Sequence, residues 1–329
     1  MKITSFSLFV VAILLGFFIK NQIDIDTNQK NMIVETKYNR AIDTATQDAA
    51  KAMITNASQP LESQYQSSKK VRINKEQAVA TFFKTMYLNF GVDHDLTGQG
   101  VVDSYVPVLV VVGYDGYFVY TYEEYTDNTG QKKLKHVWSP KKPYAYADQY
   151  GNTFNFTLDD YVTVNRSSNR QWFEGFREEI KNEASVSFLN DPQIFDQVRR
   201  STIVNAIQND LGYAINQYNT ISKKYGISYT FTIPQISQED WNNTINDAGV
   251  LAFVQGIPVG TEYYNNYALG GARIVKKDIY NGITANGRKY YYPADSCKTN
   301  FSTEEVFTSG KDAAQSGYIP LNCSIGYKN

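Results

Sequence analysis

Hydrophobic and polar positions divide this chain into a continuous apolar run, a one-sided helix and a long mixed remainder. From Ile3 to Ile19 no residue is charged and Phe, Leu, Val and Ile dominate, with Lys2 and Lys20 at the borders. At about 1.5 Å per residue the run covers roughly 25 Å, the lower limit for a hydrocarbon core about 30 Å thick. It predicts a transmembrane anchor over residues 1–20. The anchor is expected to stay uncleaved, because the run exits through Phe17, Phe18 and Ile19 with no small-x-small site nearby. The bulk of the chain follows without a second such run and is placed outside the cytoplasm.

Residues 21–56 read as an amphipathic stalk helix. Val34, Tyr38, Ala41, Ile42, Ala45, Ala49 and Ala52 recur at three- and four-residue steps, while Asn39, Arg40, Asp43, Gln47 and Lys51 cover the other faces. The stripe is narrow and made largely of alanine, which permits close approach of another element. Two readings stand: the stripe packs on the chain's own head, or it mediates assembly with other anchored helices.

The period then fades, and residues 57–73 form a polar linker containing Pro60. The head, residues 74–289, begins with a helix that Asn74 caps and Gly91 closes. Val106 to Tyr125 predicts two strands turning at Tyr114-Asp115-Gly116, and further strands are expected at Lys133–Trp138, Thr153–Phe156 and Tyr161–Val164. A helix is expected from Asn169 through Trp172, Phe173, Phe176 and Ile180, and a longer one from Pro192 to Ile221, ended by Gly226. Ile227–Pro234 reads as a strand, Ser237 as the cap of a short helix carrying Trp241, and the apolar run at 248–260 as a buried strand or short helix. The fold class is therefore α+β: an anchor continuing into a stalk helix, then a head with an antiparallel sheet and long helices.

Composition adds constraints. A net charge of −1 offers no field for nucleic acid, so no nucleic-acid partner is expected. The 26 tyrosines favour strand surfaces where a ring packs and its hydroxyl reaches a partner. With only His94 and His136, and no HExxH, GxSxG, Walker A or GxGxxG pattern, no catalytic residue, cofactor or metal site is assigned. Asp93-His94-Asp95-Leu96-Thr97-Gly98 is half of a calcium loop without its closing Glu and reads as a polar turn. Gln255, inside the apolar run, needs buried hydrogen-bond partners, and packing accounts for it.

An apolar span running into an Ala-rich amphipathic helix resembles pilins and pilin-like proteins, especially the TadE-like components of tight-adherence pilus and secretion systems, over residues 1–56. The chain has neither the Gly-aromatic pair ahead of the run nor the Glu within it that type IV pilins carry. The tail, residues 290–329, resembles the small Cys module of Ada-type zinc domains in its Tyr-rich approach to Cys297 and its Gly-Tyr-x-Pro before Cys323. Tyr291 and Tyr292 stand where that module has a histidine, and two thiolates do not complete a zinc shell. A disulfide between Cys297 and Cys323, the only cysteines, is expected. The leading functional expectation is a minor-pilin-like structural component of a bacterial surface pilus or secretion apparatus, with the membrane and other envelope proteins as partners. The alternative is an anchored extracytoplasmic module that binds a ligand or glycan through its tyrosines, and an anchored carboxylate hydrolase comes third.

Overall fold

Two apolar strands, Val108–Gly113 and Gly249–Val259, pair antiparallel at the centre of the molecule, and every residue of both except Pro258 is buried. Because side chains alternate across a strand, each strand feeds two cores. Val108, Val110, Val112, Leu251 and Phe253 enter one; Leu109, Val111, Val250, Ala252 and Val254 enter the other. A sheet covered on both faces accounts for the uninterrupted apolar runs in the sequence.

The computed structural model describes residues 3–55, 67, 69–227, 229–233, 235–272, 280–293, 302–307 and 310–321, with side chains from Lys20 onward except those of Asn21 and Asn243. Along the chain, α1 (Ile3–Thr55), α2 (Lys75–Phe90) and α3 (Leu96–Ser104) precede β1 (Val108–Gly113), β2 (Gly116–Thr126) and β3 (Lys132–Trp138). A second strand group follows: β4 (Tyr144–Ala147), β5 (Thr153–Phe156), β6 (Tyr161–Arg166) and β7 (Gln171–Phe176). Then come α4 (Arg177–Ala184), α5 (Pro192–Ser222), α6 (Gln238–Thr244), β8 (Gly249–Val259) and β9 (Glu262–Gly271). The tail carries β10 (Tyr280–Ala285), β11 (Arg288–Pro293), β12 (Glu305–Phe307), α7 (Gly310–Gln315) and β13 (Ile319–Pro320).

The central sheet has the order β3-β2-β1-β8-β9, all antiparallel. α1 and α2 cover one face. The other face meets α5 and the four-stranded sheet β4-β5-β6-β7 through Phe154, Phe156, Phe195, Ile203 and Ile207. The fold is thus α+β, with antiparallel sheets and long helices. The tail folds around Tyr291, Phe307, Ala313 and Tyr318 in a small sheet ordered β12-β10-β11-β13. The boundary drawn between 289 and 290 therefore falls inside β11 and is corrected: the β10–β11 hairpin belongs with the tail.

Several local expectations hold. Asn74 accepts from Gln77 N and caps α2, which Gly91 closes in the left-handed region (φ 70°). Asp191 caps α5 with Pro192 in its first turn, and Ser237 caps α6. Two do not. The helix expected from Asn169 begins only at Arg177, because Asn169 Oδ1 accepts from Gln171 N (3.2 Å) and Arg170 adopts φ 56°, turning the chain into β7. The strand expected at 227–234 pairs with no neighbouring strand in its described residues. Two side-chain amides replace the ladder: Asn219 accepts from Phe231 N and donates to Phe231 O (both 2.7 Å), and Gln255 accepts from Thr232 N (2.9 Å) and donates to Thr232 O (2.6 Å). Both polar atoms of the Gln255 side chain are thereby hydrogen-bonded, which supports packing as its role.

The tightest contact lies between α1 and β9. A Cβ on Gly270 would overlap the Thr46 carbonyl, whereas one on Gly271 would meet nothing within 4 Å. Gly270→Ala is expected to cost about 1–3 kcal/mol by forcing backbone apart, and Gly271→Ala to be near neutral. Urea denaturation of the two variants checks this, and equal stabilities would mean that α1 yields freely at this point.

Candidate functional site

α1 is 53 residues long, about 80 Å at the standard helical rise. Its upper part is built into the head. Ala41, Ile42, Ala45, Ala49 and Met53 are buried against α2, β8 and β9, and the small alanines let the helix backbone settle onto the strand at Gly270. Polar ties set its rotation. Asn39 Oδ1 accepts from Tyr264 Oη (2.5 Å) and Asn266 Nδ2 (2.6 Å), Thr85 Oγ1 donates to Asp48 Oδ2 (3.1 Å), and Asn74 N donates to the Met53 carbonyl (2.9 Å). Tyr38 stacks on Phe90 at 5.2 Å and meets Tyr264 edge-on at 5.5 Å.

This burial decides between the two readings of the stripe. Ala41, Ile42, Ala45 and Ala49 have no free surface for another helix, Val34 and Tyr38 pack against the same core, and Ala52 is half-buried. The residues assigned to an assembly stripe are intramolecular packing, a correction whose cause is that periodicity marks a face without saying what covers it.

The head's contact with α1 reaches down to Asn31, where the tip of the β8–β9 hairpin at Gly260 (φ 60°) presses on the Asn31 side chain. Below it, every described side chain from Lys20 to Lys30 is exposed. A different surface opens on the outward side of α1. Met32 and Ile33 are 66% and 69% exposed, and the exposed Ile25 lies about two turns earlier on the same side. At 100° per residue, Met32, Ile33, Thr36 and Arg40 face away from the alanine stripe. They line an open groove of about 650 Å³ with Gln29, Lys37 and Asn89. The Ile25–Met32–Ile33 spacing was visible in the sequence but stood among polar neighbours. Among the described residues, no helix is long and apolar enough to cross a membrane. The run Ile3–Ile19 belongs to the α1 backbone, its side chains outside the described residues.

The remaining sequence candidates take other places. Asp95 accepts from Thr97 N (3.0 Å) and caps α3, so the half calcium loop is a capped turn. Cys297 and Cys323 lie outside the described residues. His136 sits among Phe83, Tyr120 and Tyr122, stacked at 4.6 Å on Tyr120. Nearby, Tyr87 Oη donates to Asp103 Oδ1 (2.6 Å). Burial raises the Asp103 carboxyl, opposed by that hydrogen bond, and raises the Tyr87 hydroxyl.

Burial also pushes the His136 imidazole down to about 4, from 6.5. The folded chain then binds this proton less readily than the unfolded chain. The stability contributed by the neutral ring is complete above pH ~6.5 and is lost as pH falls toward ~4, by up to about 3 kcal/mol. Asp103, raised in the fold by burial, acts with the opposite sign. Urea melts at pH 7 and 5 are expected to show a fall in wild-type stability that His136→Phe removes; an unchanged fall in the variant would assign the effect to other groups.

Compared with known proteins, the chain matches no family model, no curated protein and no solved structure, so its functional reading rests on this geometry.

Proposed function

We propose that this chain is a structural component of a bacterial surface pilus or secretion apparatus, minor-pilin-like, held in the membrane by residues 3–19 with its head outside the cytoplasm. The observation that carries the proposal is the division of α1. Its upper part is a structural element of the head, and the segment from Lys20 to Lys30 is exposed and continues the same helix into the apolar run. A single uninterrupted helix couples the head to the anchor without a flexible joint, as an assembly that transmits position or force requires. The outward patch around Met32 and Ile33 is the surface left for a neighbouring envelope protein. Asp26 lies toward its membrane side, and Lys37 and Arg40 line its far end, so a partner helix of complementary charge pattern is held in register.

Wild-type chain is expected to stay in the membrane fraction after carbonate washing. Val11→Arg, which costs roughly 2.5–3.5 kcal/mol at the centre of a span, is expected to release or mislocalise it. The double variant Met32→Glu/Ile33→Glu is expected to abolish crosslinked complexes in membranes without changing the melting temperature, since both side chains are exposed. A soluble wild-type chain beginning within residues 20–30 would remove the anchor; complexes indifferent to the double variant would remove the outward patch as their basis.

A further inference from the structure

A second groove, remote from α1, lies between β2 and the C-terminal half of α5. Its volume is about 620 Å³, within the range of small-molecule sites. Tyr213, Asn216, Gln217 and Thr220 share one side of α5 and form one wall, and Lys224 follows in the 3-10 turn just beyond the end of the helix. β2 supplies Glu123 and Glu124 opposite, and Ile221 contributes a largely buried apolar floor.

Three features point to a ligand of particular chemistry. Tyr213 is 66% exposed and has no ring partner among the described residues, whereas the nearby Tyr122 and Tyr218 rings stack on each other at 5.2 Å. Gln217 Nε2, one turn later and itself exposed, donates to the Tyr213 hydroxyl. An aromatic face left open beside polar groups offers a stacking surface. The second feature is the set of uncharged polar groups beside the ring. The Asn216 amide, the Gln217 carbonyl oxygen and the Thr220 hydroxyl oxygen, whose own proton goes to the Asn216 backbone carbonyl (3.0 Å), place donors and acceptors along the same wall. The third is charge. Lys224 is engaged by Glu124 at 3.3 Å, and Glu124 also holds Lys132 at 2.7 Å. The groove lining itself carries two carboxylates against one ammonium, which disfavours phosphates and uronic acids.

We propose that this groove binds an uncharged pyranoside, with one sugar face on Tyr213 and its hydroxyls on Asn216, Gln217 and Glu123. Aromatic stacking suits the C–H face of a pyranose, and paired amide and carboxylate groups suit vicinal hydroxyls. The site does not depend on the anchor or on the Met32–Ile33 patch, so it stands or falls separately from the proposed assembly role.

The test uses the full chain in a detergent without a sugar headgroup, with cellobiose, maltose and N,N′-diacetylchitobiose as probes in saturation-transfer difference NMR. At least one disaccharide is expected to receive saturation. Tyr213→Ala is expected to weaken that binding about tenfold or more, the loss of a stacking contact. Tyr150→Ala, an exposed tyrosine on another part of the head, is expected to leave it unchanged. Inorganic phosphate at the same concentration is expected not to compete. Absence of transfer to all three sugars, or equal transfer in a folded Tyr213→Ala chain, overturns the site; competition by phosphate overturns its assigned chemistry.

Discussion

The structure depends on one close approach, the α1 backbone lying on β9 at Gly270. Any side chain larger than hydrogen there would push the helix off the sheet, and with it the alanines at 41, 45 and 49 that fill the interface. Thr46 is fully buried at this contact, and its hydroxyl is satisfied within α1 by the Ile42 carbonyl (2.7 Å). α1 and α2 cover one face of β1 and β8, and α5 with the second sheet covers the other. Displacing α1 would expose an apolar face of the central sheet. The helix that leads to the apolar run is therefore also a wall of the head.

Tyrosine has a specific part in this layered body. Tyr144 Oη donates to the Gly113 carbonyl (2.9 Å), Tyr117 Oη to the Ala206 carbonyl (3.0 Å), Tyr218 Oη to the Ser104 carbonyl (2.8 Å) and Tyr114 Oη to Asp159 (2.9 Å). Each ring fills apolar space while its hydroxyl ties one layer to the next. Amide side chains do the same where a strand partner is missing, as Asn219 and Gln255 do for residues 231 and 232. Such ties brace the layers of the head against one another.

Elements with strong local signals were legible in the sequence. The β1–β2 hairpin showed its β-branched runs and its Gly116 turn, and α2 and α5 showed their caps and their 3.6-residue period. β7 was hidden because Trp172, Phe173, Phe176 and Ile180 satisfy helical spacing; the turn at Asn169 and Arg170 overrides that pattern through backbone geometry. The stretch after Gly226 has strand composition, but Asn219 and Gln255, distant in sequence, supply its partners. The alanine stripe was legible as a face, not as a contact, since nothing local distinguishes a neighbouring chain from the chain's own sheet. The groove at Tyr213 was hidden for a related reason, because its second wall comes from β2.

Hydrogen–deuterium exchange along α1 in lipid bilayers tests the central claim most directly, that one continuous helix is part of the head above and free of it below. Amides of residues 41–53 are expected to exchange only with global unfolding of the head, those of residues 22–30 far faster, and those of residues 5–19 to be protected only when lipid is present. Fast exchange throughout residues 41–53 in a folded head, or protection of residues 5–19 without lipid, would contradict it.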